Sequence, residues 1–301
     1  MRKRMKLLAA VLCLSMFFSV AQGCGSAKKD DDKNIVTSEN KDDASISESG
    51  GEKEPVTIEE QVLFERDGIV VTAKEYVTDD IWGDGIKLLI ENNSDKSVSV
   101  GCSALIVNNY MISDLFVSGV AAGKKANEVM YLSNTELEAA GIESVGQIEA
   151  YFQVYDTDTY ETLFETECIT IQTSEYANMD TLADDTGVEL YNADGIRIVG
   201  KTVDENSFWG TAILLYCENN SGKNIGISVE EMSINGFMME PLFTTTVYDG
   251  KMALDEITIF SEDLVTNGIE TIEDVELRFH IYDEKTYEAI ADSEVITFSA
   301  Q

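Results

Sequence analysis

Residues 67–69 read Asp-Gly-Ile, and 127 positions later residues 194–196 read Asp-Gly-Ile again. The same offset carries Trp82-Gly83 onto Trp209-Gly210, Glu91-Asn92-Asn93-Ser94 onto Glu218-Asn219-Asn220-Ser221, and Gly123-Lys124 onto Gly250-Lys251. It also relates Gly141-Ile142 to Gly268-Ile269, and Tyr155-Asp156 with Thr159-Tyr160-Glu161 to Tyr282-Asp283 with Thr286-Tyr287-Glu288. Roughly a third of the positions from Leu63 to Ile171 match their counterparts with no insertion or deletion, so the chain carries two tandem copies of one domain of ordinary size. The copies are expected at 61–173 and 188–301, joined by a linker at 174–187 that contains Asp184-Asp185-Thr186-Gly187.

Within each copy the dominant signal is strand. Gly85 to Asn92 and Gly210 to Asn219 are mostly apolar runs that end in Asn-Asn-Ser, which reads as a strand entering a turn. Asn235-Gly236 is a hairpin turn signal, with Asn108-Asn109 in the matching place. Ile148 to Val154 and Val275 to Ile281 alternate with period two, predicting one core face and one wet face. One short helix per copy is expected. Ser133-Asn134-Thr135-Glu136 fits a capping box, Leu132 and Leu137 a hydrophobic staple, and Gly141 a C′ glycine. In the second copy the pattern places the cap one residue later, at Ser261, with Phe260 and Val265 as the staple and Gly268 at the end. Seven or eight strands in about a hundred residues, with turns between them, predict an all-β fold of two tandem β-sandwiches.

The N-terminus differs in kind. Met-Arg-Lys-Arg-Met-Lys precedes a mostly apolar run from Leu7 to Ala21 and then Gln22-Gly23-Cys24-Gly25-Ser26. A basic start, a short apolar stretch and small residues describe a signal peptide over residues 1–23, since a permanent span takes about 20 apolar residues. The segment Val20-Ala21-Gln22-Gly23-Cys24 resembles the lipobox of bacterial lipoproteins, with Ala21 and Gln22 departing from the more usual Leu and smaller residue. The resemblance implies a diacylglyceryl anchor at Cys24, which becomes the mature N-terminus, and hence a place on the extracytoplasmic face of the cell membrane. The alternative is ordinary secretion with Cys24 as a free thiol. Residues 24–60 are rich in Lys, Asp, Ser, Glu and Gly without sustained hydrophobic period, and are expected to form a disordered tether. As a flexible chain of some 36 residues it would span roughly 33 Å.

Charge excludes several function classes. The chain holds 56 Asp plus Glu against 21 Lys plus Arg, a formal net charge of −35, and cleavage before Cys24 removes four basic residues and no acid, giving −39. Such a surface repels phosphate backbones, so no nucleic acid is expected as a partner. One His in 301 residues leaves no histidine-based metal cage, and no cofactor is expected. Nucleophilic catalysis has little support: there is no G-x-S-x-G, and His280 alternates with Leu277, Phe279 and Ile281 and has Gln153 as its counterpart in the other copy, so it reads as a surface residue on the wet face of its strand. The chain is not expected to be an enzyme. Cys102, Cys168 and Cys217 align with Val229, Val295 and Ile90, which predicts three buried small hydrophobes; a Cys102–Cys168 disulfide is the alternative in an oxidising compartment. Asp156-Thr157-Asp158 has the spacing of a calcium loop, but its counterpart is Asp283-Glu284-Lys285, and a hairpin turn accounts for both copies.

Two features are candidate binding surface. Trp82 and Trp209 each follow a polar, acidic loop, where an indole can anchor a protein partner or stack on a sugar; the alternative is a plug at the edge of the core. The hairpins after the Asn turns present Tyr110-Met111 and Phe237-Met238-Met239, an adaptable apolar patch if exposed and plain core if inward. Residues 61–301 as a whole resemble, by pattern and not by a diagnostic motif, the immunoglobulin-like repeats of uncharacterised lipoproteins on Gram-positive cells. That resemblance implies a fold and a location, not an activity. The expectation is therefore a lipid-anchored extracellular interaction or adhesion module, with a protein or glycan partner, or alternatively a glycan or cell-wall binding module or a passive surface spacer.

Overall fold

A computed structural model describes residues 54–113, 115–179, 183–207 and 209–299. The expected signal peptide, Cys24 and most of the expected tether lie outside the described residues. The first copy contains β1 (Gln61–Arg66), β2 (Ile69–Asp79), β3 (Gly83–Asn92), β4 (Val98–Val107), β5 (Tyr110–Ile112), β6 (Val117–Val120), β7 (Lys125–Tyr131), α1 (Asn134–Ala139), β8 (Gln147–Asp156), β9 (Thr162–Glu165) and β10 (Ile169–Gln172). The second repeats this order: β11 (Val188–Ala193), β12 (Ile196–Ser207), β13 (Gly210–Asn219), β14 (Ile225–Ile234), β15 (Phe237–Met238), β16 (Thr244–Val247), β17 (Lys251–Phe260), α2 (Ser261–Thr266), β18 (Asp274–Asp283), β19 (Ala289–Asp292) and β20 (Ile296–Ser299). Short edge strands bring the number per copy above the seven or eight that turn spacing suggests.

Each copy is a two-layer sandwich. In the first, β1-β2-β3-β7 faces a sheet built on β4 and β8, with β5 and β6 along one edge and β9 and β10 along the other. In the second, β11-β12-β13-β17 faces the sheet built on β14 and β18. The chain crosses between layers after β3, returns so that β7 pairs with β3, and crosses again so that β8 pairs with β4, which is an immunoglobulin-like Greek key. The alternation read in β8 is realised: Ile148, Ala150, Phe152 and Val154 point into the first core, as Val275, Leu277, Phe279 and Ile281 point into the second. β4 and β13 depart from the one-wet-face rule and are buried on both faces along most of their length, because the two sandwiches cover each other there.

The repeated Asn is a structural keystone. Asn92 lies buried at the end of β3; its Nδ2 donates to the carbonyls of Lys96 (2.7 Å) and Val120 (2.8 Å), and its Oδ1 accepts from the Ser94 amide and hydroxyl. Asn219 repeats the set with Lys223, Val247 and Ser221. One side chain thus satisfies carbonyls from two loops in a site without water access. Asn235 and Gly236, at φ 50° and 81°, form the expected left-handed hairpin turn, and Asn108 and Asn109 do likewise at 47° and 71°.

The helices form where expected, with their caps rearranged. Gly141 and Gly268 sit at the C-terminal ends with φ 69° and 66°, and Ile142 N donates to Leu137 O as Ile269 N does to Leu264 O. The capping box does not form: Ser133 makes no side-chain cap, and the Glu136 carboxylate accepts the Ser113 amide at 2.7 Å instead of reaching back to the N-cap. The one-residue shift expected in the second copy is also overturned. α2 begins at Ser261 with Phe260 at the N-cap, in register with Ser133, so the staple pair is Ile259 and Leu264, both packed on the core, while Phe260 and Val265 are exposed. At the other end, the chain is seated on the first sandwich before the expected tether boundary: Ile58 bridges Thr173 and packs against the core.

Candidate functional site

The Trp82 turn is built from short-range polar chemistry. Asp79 Oδ1 accepts the amides of Ile81 (2.8 Å) and Trp82 (2.9 Å), which holds its carboxyl below the usual carboxylate range. Thr78 Oγ1 donates to Asp84, and the Asp84 amide donates to Asn134 Oδ1 on α1 at 3.2 Å. Gly83 has φ +80°, and a Cβ there would overlap the Asn134 side chain, so glycine is required for the turn to lie on the helix. The result is a rigid platform that pushes Ile81 and Trp82 outward; Trp82 is 66% exposed, with its ring centroid 6.2 Å from that of Tyr131 and tilted 37°. Trp209 occupies the corresponding turn in the second copy, which is tighter because Ser207 pairs with Gly210 where Asp79 pairs with Gly83; it is 61% exposed, with its carbonyl accepting the Ser261 amide at 3.2 Å. Neither indole plugs a core.

The two hairpins, equal in sequence, have different surroundings. Tyr110 is 5% exposed, whereas Phe237 is 46% and Met238 67% exposed. The difference is the junction between the sandwiches. β5 pairs in parallel with β17, Tyr110 opposite Met252 and Met111 opposite Ala253, and the Met252 amide donates to Asn109 O at 3.0 Å. Lys251 Nζ forms an ion pair with Glu149 and donates to Asn109 Oδ1 at 3.1 Å. Tyr151 and Tyr248 meet edge to face with centroids 5.0 Å apart, and Tyr110 packs with Val199 and Tyr216. Burial pushes the Tyr151 and Tyr216 phenols up. Tyr110 is therefore part of an internal interface, and Phe237 is the exposed member of the candidate pair.

Sequence reasoning missed this junction. A signal for it exists in the departures from the repeat: Tyr151, Tyr248, Met252 and Leu254 stand where the other copy has Arg278, Ala121, Lys125 and Asn127. Apolar residues replacing polar ones on otherwise wet positions mark the covered face.

Beside the junction lies a cavity of about 700 Å³, lined among others by Ser103, Met111, Glu136, Thr245, Tyr248 and Asp255. Burial pushes the Asp255 carboxyl up, and the neighbouring Glu136 and Glu256 add to this, against a hydrogen bond from Thr245 and one from the Glu256 amide. Among the described residues no group of three or more His, Cys, Asp or Glu is placed to hold a metal ion. Asp156 is a turn residue: its Oδ1 accepts the Asp158 and Thr159 amides, and its Oδ2 lies 3.2 Å from Lys96 Nζ. Asp283 does the same work for Lys285 and Thr286.

His280 is half-buried on the outer face of β18, with Nδ1 2.6 Å from Asp292 Oδ1 and its ring stacked on Tyr282, which stacks in turn on the exposed Tyr287. The strip lies flat because Gly226 on β14 carries no Cβ to meet the Tyr282 ring. None of the three described cysteines is joined in a disulfide. Cys102 and Cys217 are buried as expected; Cys168 is exposed, which corrects the reading from its Val295 counterpart, since that valine is exposed as well.

No protein-family model matches the chain, and neither does any curated protein. Among solved structures, the Salmonella enterica SafA pilin in complex with the SafB chaperone aligns over 78% of this chain and 98% of that one, at 9% identity and a TM-score of 0.24. The exo-β-D-glucosaminidase CsxA, inhibited by castanospermine and amino-australine analogues, aligns over 72% of this chain and 26% of that one, at 9% identity and 0.24. Likeness this shallow carries no argument about activity.

Proposed function

We propose that this chain is a non-catalytic interaction module, held by a diacylglyceryl anchor at Cys24 on the extracytoplasmic face of the bacterial membrane, that engages a protein partner through its tryptophan tips. The observation that supports the reading is the exposure of Trp82 and Trp209 at corresponding turns of both copies, the first held by the Asp79 carboxylate and the second by a backbone bond to Ser261. A large aromatic side chain held out of the core is the kind of group that anchors a protein partner. The net charge of −35 favours a basic partner and salt-dependent association. The lipobox-like Val20 to Cys24 supports the location, and the lack of a nucleophile–base pair in the sequence supports a role without catalysis.

A photo-crosslinking residue placed beside Trp82 and Trp209 in cells, read by mass spectrometry, tests the reading. One dominant protein adduct is expected, and its loss on replacing both indoles by Ala. A second reading, a glycan-binding module, is favoured by the tilted Trp82–Tyr131 pair, since two adjoining exposed rings offer a surface on which a sugar can stack. It predicts no protein adduct and retention on purified cell wall that is insensitive to salt.

A further inference from the structure

We propose that the chain self-associates head to tail, β15 of one molecule adding in parallel to the β7 edge of the next, by the same geometry that joins its own two sandwiches. The template is the internal junction. There β5 of the first copy pairs with β17 of the second, Met111 lies opposite Ala253, and Glu149 pairs with Lys251. The 127-residue offset carries the donor side, Met111 and Glu149, onto Met238 and Glu276, and the acceptor side, Lys251 and Ala253, onto Lys124 and Ala126.

All four of these residues are identical between copies, although only about a third of positions are. Within one chain Met238, Glu276, Lys124 and Ala126 take no part in the junction. The strand edges they sit on end their sheets: β7 closes the path β1-β2-β3-β7, and β15 closes the path β15-β14-β18-β19. Each such edge is a template for another strand, and the two edges are complementary at Met238 with Ala126 and Glu276 with Lys124, while the register pair Tyr110–Met252 becomes Phe237–Lys125 and the lysine's second acceptor Asn109 becomes Gly236. Glu276 would meet Lys124 as Glu149 meets Lys251, and the exposed Met238 would cover Ala126 as Met111 covers Ala253.

The contact between chains is weaker than the one within a chain. The edge-to-face tyrosines Tyr151 and Tyr248 become Arg278 and Ala121, and Leu254 becomes Asn127, so fewer apolar atoms are covered and association is reversible. Because donor and acceptor are different surfaces the contact is heterologous, and it propagates as a linear array rather than closing as a two-fold dimer. Tethering to one membrane would raise the local concentration at which a weak contact is occupied. This surface is separate from the tryptophan tips, and the inference stands or falls independently of them.

Disulfide trapping in the purified full chain tests it, in a Cys168→Ser background that serves as the blank. Met238→Cys chains are mixed with Ala126→Cys chains and oxidised, and a Met111→Cys/Ala253→Cys chain shows that the register closes within a molecule. The expected result is a covalent dimer only on mixing, and a ladder from chains carrying both Met238→Cys and Ala126→Cys. Glu276→Lys should abolish the ladder and Lys124→Glu in the same chain should restore it. Closure of the internal pair with no mixed dimer, or a mixed dimer equally abundant when Glu161→Cys replaces Ala126→Cys, overturns the proposal.

Discussion

Lys251 in the second sandwich and Glu149 in the first form an ion pair whose side chains are 16% and 14% exposed, with Asn109 Oδ1 as the ammonium's second acceptor. Two largely desolvated charges meet across the junction, so removing one leaves the other without compensation. Lys251→Ala is expected to destabilise the chain by about 3 kcal/mol and to speed exchange of the Met252 amide, which donates across the junction. The double change Lys251→Met with Glu149→Leu should cost less than either single loss. Denaturant unfolding and hydrogen exchange at Met252 check both statements.

Asn92→Ala and Asn219→Ala each strand two loop carbonyls that the amide now satisfies. A loss of about 2–4 kcal/mol is expected for each. Asn→Asp should be at least as damaging, since a carboxylate would face those carbonyls without a donor. Thermal unfolding of the four variants is the measurement, and near-equal losses in the two copies are expected.

Trp82→Ala and Trp209→Ala, by contrast, should change stability by less than about 1 kcal/mol, because both rings are mostly in water already. A larger loss would return the indoles to a packing role. The same variants should lose the crosslinked partner.

Asp255 gives a pH signature of defined sign. Its carboxyl is raised above the ordinary 3.8 by burial next to Glu136 and Glu256, so the folded state holds its proton more tightly than the unfolded chain. Its favourable contribution is complete below that ordinary value and is lost as pH rises through the folded value. Asp255→Asn should therefore raise the unfolding temperature at pH 7, with a gain that fades below about pH 4. Unfolding scans of both proteins across that range check it.

Thiol labelling separates the cysteines. Cys168 is exposed and should react in the native protein, whereas Cys102 and the fully enclosed Cys217, whose thiol burial pushes up, should react only in denaturant. Peptide mapping after alkylation reads the three sites separately.

What the sequence alone determined was most of what is local and repeated. The hairpin turns at Asn108 and Asn235, the helix-ending Gly141 and Gly268, the alternation of β8 and β18 and the two-domain plan all follow from backbone preference and side-chain period, and identity at a fixed offset made them readable twice. Asn92 and Asn219 were visible as repeated letters, while their bonds to Val120 and Val247 depend on strands about thirty residues away. What only the tertiary structure decided was how one face differs from its copy. Glu136 accepts the Ser113 amide instead of closing its capping box, and Tyr110 is buried where Phe237 is exposed because one hairpin meets β17 and the other, among the described residues, pairs with β14 alone. Burial and pairing at a sheet edge are properties of what lies opposite, and nothing within a segment encodes its neighbour.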